Sequence, residues 1–174
     1  MKYLKTYTLF ERVSLETKLF ESNLDEYEQI INWKLYDLTD SEFEVSTQKL
    51  SGNNGPDKAN FIAISIRRST DAQPREIEGS PNPPGGLYPK EIFVWREVKE
   101  SVIELISWWE REFNITELSK KNKPHAWKSP ISLASGGTYF ADACETTDQL
   151  INTLEGMGDL ISFTVLRIQL QITE

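Results

Sequence analysis

The chain holds 174 residues, 39% apolar and 26% charged, with 5 Trp, 6 Tyr and 8 Phe. That size and composition predict one globular domain over 1–174 and exclude a disordered, collagen-like or coiled-coil chain. A formal net charge of -8, from 19 basic against 27 acidic residues, argues against a nucleic-acid binder, which needs cationic surface to displace counterions from phosphate.

The same charge argues against attraction to an anionic membrane, and no stretch of 18 consecutive apolar residues is present to span one. The opening residues Met1-Lys2-Tyr3-Leu4-Lys5 lack the apolar core of a secretory signal, so the expectation is a cytoplasmic protein with a reduced Cys144. One Cys and one His leave no internal disulfide framework and no Cys/His zinc site, and no cofactor is expected.

In chain order, residues 3–13 are rich in aromatic and Thr residues and predict a strand. Ser22 or Asn23 then offers an N-cap, followed by Leu24, Tyr27, Ile30 and Ile31 at helical spacing, which predicts a helix over 24–36. Phe43 and Val45 alternate with Glu42, Glu44 and Ser46, and Ile62, Ile64 and Ile66 share one parity across a Gly/Asn-rich turn. Those two runs predict an antiparallel hairpin.

Residues 69–89 carry Pro74, Pro81, Pro83, Pro84 and Pro89 with Gly79, Gly85 and Gly86, and read as a long irregular loop inside the domain. After it, Val98, Val102, Leu105, Ile106, Trp109 and Phe113 give the clearest periodic signal in the chain, an amphipathic helix. Residues 92–95 leave strand and helix both open. Residues 124–137 read as loop and 138–144 as a short strand, and Thr146-x-x-Gln149 is a capping box opening a helix that stops at Gly156 or Gly158.

The final strand, 160–172, changes parity between Val165 and Leu166, which requires a bulge, a bend or a change of covering partner there. The order β-α-β-β-(loop)-α-β-α-β predicts an α+β fold: a mainly antiparallel twisted sheet of about five strands, with two or three helices on one face.

Few residues mark themselves as catalytic. A dyad of Cys144 and His125, oriented by Asp142, is the one nucleophilic arrangement available, and a buried structural thiol with a solvated loop imidazole is the simpler reading. No P-loop, G-x-G-x-x-G or G-x-S-x-G is present, and Asp37, Asp40, Glu42 and Glu44 lack the spacing of a calcium loop. The balance is against an enzyme.

Charge is the better lead. Glu21, Asp25, Glu26, Glu28, Asp37, Asp40, Glu42 and Glu44 face Lys34 alone within 21–44. That asymmetry suggests a protein-binding module of inhibitor or immunity type, meeting a basic partner through Asp25, Glu26, Glu28, Asp37 and Asp40 with Trp108 at the margin. Two other readings stand beside it. One is a small enzyme or ligand sensor with a pocket under the 69–89 loop, lined by Tyr88, Trp95 and Trp127. The other is a structural subunit of a larger assembly.

Overall fold

The computed structural model describes residues 24–51, 60–81, 86–118 and 130–172. The strand expected at 3–13, the caps Ser22 and Asn23, the hairpin tip, His125 and Trp127 lie outside them. Strands β1 (Phe43–Ser51) and β2 (Asn60–Arg68) pair antiparallel along their whole length, as the two alternating runs require. Ile62, Ile64 and Ile66 of β2 point to one side and are fully buried.

The remaining strands are β3 (Phe93–Val94), β4 (Ile131–Ser135), β5 (Thr138–Tyr139), β6 (Ser162–Phe163) and β7 (Leu166–Ile172). Among the described residues the main sheet runs β1-β2-β7-β4-β5, antiparallel at every pairing, and β3 pairs with β6 in a separate ribbon. The fold is therefore α+β on an antiparallel sheet. Ile168 lies opposite Ile64 on one side and Leu133 on the other, so the apolar side chains of three strands meet in one row.

The parity change in 160–172 has a simple cause. Phe163 is buried in the ribbon, Leu166 is buried in the main sheet, and the chain bends through Thr164 and Val165 as it leaves one for the other.

Two expectations are corrected. Residues 124–137 contain β4, whose Ile131 and Leu133 are buried, because only two apolar residues mark its parity. Residues 138–144 are not one strand. Thr138 and Tyr139 close a tight hairpin with β4 through Gly136 and Gly137, whose φ values of +55° and +85° suit the mirror-image turn that joins twisted strands. Phe140–Ala143 then turns as a 3-10 helix.

Helix α1 (Leu24–Lys34) passes through a turn at Leu35 into the short α2 (Tyr36–Thr39), and Ile31, Leu35 and Leu38 form its buried side. Helix α3 (Lys99–Phe113) buries Val102, Leu105, Ile106 and Trp109, the predicted stripe. The undecided residues before it prove to be both kinds of structure: β3, then a 3-10 turn over Trp95–Glu97. Helix α4 (Thr147–Glu155) is capped by Thr146 Oγ1, which accepts from the Gln149 N–H at 3.2 Å, while Gln149 Oε1 accepts from the Glu145 N–H at 2.7 Å.

All the helices join the core on the sheet face that carries the Ile and Leu side chains. Two indoles bolt the layers together: Trp109 donates to the Gln171 carbonyl at 2.9 Å and Trp95 to the Leu154 carbonyl at 3.0 Å.

The 69–89 loop is built rather than free over its described part. Arg75 and Tyr88 form an antiparallel bridge, Ala72 and Ile77 are buried, and the Arg75 guanidinium pairs with Glu97, which also accepts the Val94 N–H at 2.8 Å. Glu42 adopts a left-handed backbone conformation. Its φ is +57°, and its carboxylate pairs with the buried Arg68, so a backbone cost is tolerated where it neutralises a buried cation.

Trp109→Phe keeps the aromatic packing but removes the indole donor and leaves a void beside β7. It is expected to lower unfolding free energy by about 2 kcal/mol. The denaturant midpoint should fall with an unchanged slope, as measured by urea unfolding.

Candidate docking face

The acids of the 21–44 stretch do not act as one patch. Asp25 and Glu28 lean from α1 onto β1, where both pair with Lys49 and Glu28 also accepts from the Thr47 hydroxyl. The hydrogen bond to Asp25, supported by Glu28, holds the Lys49 ammonium above its ordinary 10.5. Glu42 is taken by Arg68 and Glu44 by Arg67 at 2.8 Å. Glu44 also accepts the Thr70 N–H, and that bond, with Arg67, holds its carboxyl below the usual 4.5. Glu26, Asp37 and Asp40 make no ion pair among the described residues, and Asp37 and Asp40 are exposed.

The helical geometry explains the division. Taking Ile31 as the centre of the buried side and about 100° per residue, Glu28 falls at about 60° and Asp25 at about 120°, turned toward the sheet. Glu26 and Trp33 fall at about 220° and 200°, on the far side. Beyond the break at Leu35, whose φ of -98° and ψ of 12° are not helical, Tyr36, Asp37 and Asp40 are all exposed. Trp33 is 48% exposed and Tyr36 59%, among the most exposed large side chains described. Three acids and two large aromatics thus share the outer face of α1 and α2.

Trp108 lies at the margin of the α3 stripe, as its spacing predicts. It is half-buried against the core, edge-on to Trp109 with ring centroids 5.4 Å apart. The Lys34 ammonium sits 5.2 Å over its ring, 5.8 Å from the Trp33 ring and 3.5 Å from Glu104. Lys34 therefore ties α1 to α3, and Trp33 and Tyr36, rather than Trp108, are the aromatics presented outward. Sequence reasoning passed over them, although their position opposite the Tyr27, Ile31, Leu35 stripe was there to be read.

Of the residues expected under the long loop, Trp95 and Tyr88 are described. Trp95 is fully buried and edge-on to Phe163, ring centroids 6.2 Å apart. Tyr88 is half-buried within the loop itself, its hydroxyl donating to the Pro81 carbonyl at 2.9 Å. Trp127 lies outside the described residues.

Of the nucleophilic set, Cys144 is buried, with Sγ 3.6 Å from the Phe140 carbonyl and 3.7 Å from Thr153 Oγ1. Asp142 belongs to the 3-10 turn before it rather than to a strand sharing its face. His125 is not among the described residues. Within those residues no three His, Cys, Asp or Glu side chains gather as a metal site, and no helix is long and apolar enough to cross a membrane.

No known protein family, curated protein or solved structure matches the chain. The functional reading therefore rests on its own side chains.

Because the Glu44 pKa is lowered on folding, its contribution to stability is present above 4.5 and is lost as the pH falls through the lower folded value. Glu44→Gln should be less stable than the parent at pH 7, and the two should converge in acid below that folded value. Denaturant midpoints measured from pH 7 to pH 2 check this.

Proposed function

We propose that this protein is a non-enzymatic binding module of inhibitor or immunity type, docking a basic protein partner on the outer face of α1 and α2. The observation that carries the reading is the joint exposure of Trp33 and Tyr36 beside Asp37 and Asp40. Tyr and Trp supply large contact area with few rotors to immobilise, and they dominate interface hot spots. Acids that make no ion pair among the described residues complement a cationic surface, and a net charge of -8 steers such a partner in. A partner held this way has its own basic site masked, which is how a small acidic protein inhibits without chemistry.

The division of the acids decides which variants are informative. Reversing Asp25 or Glu28 would break contacts to Lys49 as well as change surface charge, whereas Asp37 and Asp40 are exposed and carry no such contact. Tagged protein is used to capture partners from extract of its native cells at roughly 0.1 M and 0.5 M salt, where the screening length falls from ~10 Å to a few ångström. A protein retained by the parent should be lost from Trp33→Ala/Tyr36→Ala at both salts. From Asp37→Lys/Asp40→Lys it should be weakened, most clearly at low salt. Retention equal to the parent by both variants would remove the proposal.

A further inference from the structure

The sheet face away from the helices forms a second feature, independent of the α1–α2 face. Residues of β1, β2, β7, β4 and β5 line a groove of about 720 Å³ there, within the range of small-molecule sites. The pairing register shows why it is concave. Ser65, Arg167, Ala134 and Tyr139 stand in one cross-strand row, and Gln48, Ala63, Gln169 and Ser132 in the next. Small side chains at Ala63, Ser65, Ser132 and Ala134 leave low ground on either side of Arg167 and Gln169, which stand on the central strand β7.

The lining mixes apolar side chains with hydroxyls, amides and Arg167, and its described residues carry no acid. Among its described residues Arg167 is the one cation, in a chain whose net charge is -8. The main sheet carries three arginines in its described strands. Arg67 is paired with Glu44 and Arg68 with Glu42, while Arg167 makes no ion pair among the described residues. Glu44, the acid on the same face, is already engaged by Arg67 and by the Thr70 N–H. An unneutralised guanidinium over a floor of hydroxyls and amides matches a planar oxyanion, which its fork of N–H groups can hold by two parallel bonds.

We propose that this groove binds a small organic anion, its carboxylate or phosphate on Arg167 and its polar body against Gln48, Gln169 and Ser132. The occupant is a metabolite-sized molecule rather than a polymer, because the lining offers a single cation rather than a track of them.

The test is a ¹⁵N NMR titration of the full chain with benzoate and with phenyl phosphate, one probe for each oxyanion. Saturable shifts at the Arg167 Nε–H and at the Ser132 and Gln169 amides are expected with at least one probe, and the responding probe identifies the oxyanion. Arg167→Gln should weaken binding at least tenfold. Arg67→Gln, which removes a charge from the same face but outside the lining, should leave it unchanged. Absence of saturable shifts with both probes would overturn the inference, as would shifts that persist undiminished in Arg167→Gln.

Discussion

The alternation of β7 between its two neighbours is the constraint on which the molecule depends. Leu166, Ile168, Leu170 and Ile172 go beneath the helices, while Arg167, Gln169 and Gln171 go to the other face. A slip of one residue against β2 or β4 would exchange those sets and drive the Arg167 guanidinium into the core without a carboxylate to pair it, unlike Arg68 with Glu42. Ile64 and Leu133 fix the register from either side, each opposite Ile168. The Trp109 indole, bonded to the Gln171 carbonyl, makes α3 part of the same lock. Core and groove are thus the two sides of one pattern.

Electrostatics are partitioned by the sheet as well. Lys49 and Arg68 on the helical face occupy Asp25, Glu28 and Glu42, and Arg67 on the groove face occupies Glu44. The exposed pairs among these contribute little stability individually, on the order of 0–1 kcal/mol. Their larger effect is positional, because they decide which carboxylates remain for a partner. The unpaired charge of 21–44 is therefore smaller in space than in sequence, and among the described residues it lies with Glu26, Asp37 and Asp40.

Much of this was legible in the chain. The stripe through Val102, Leu105, Ile106 and Trp109, the cap at Thr146, the β1–β2 hairpin and the break at Val165 all follow from periodicity and capping chemistry. Strand β4 did not declare itself, since Ile131 and Leu133 are too short a run to outweigh Pro130 on one side and the Gly-Gly turn on the other. The loop at 69–89 looked structureless because its order comes from tertiary contacts, the Arg75–Glu97 pair and the burial of Ile77, which leave no local pattern. The docking face was half legible: its acids were evident, and its aromatics needed the helical wheel to be read from the outside. The groove was not legible at all, because it exists only once four strand pairings set side chains from distant segments beside one another.

The central claim is that the outer face of α1 and α2 is covered in the cell. Hydroxyl-radical footprinting tests it directly, comparing purified protein with protein in extract of its native cells and reading oxidation by mass spectrometry. Trp33 and Tyr36 should be protected in the extract, while Leu87, 50% exposed and on a different part of the surface, should react equally in both. Equal oxidation of Trp33 and Tyr36 in the two conditions would contradict the account.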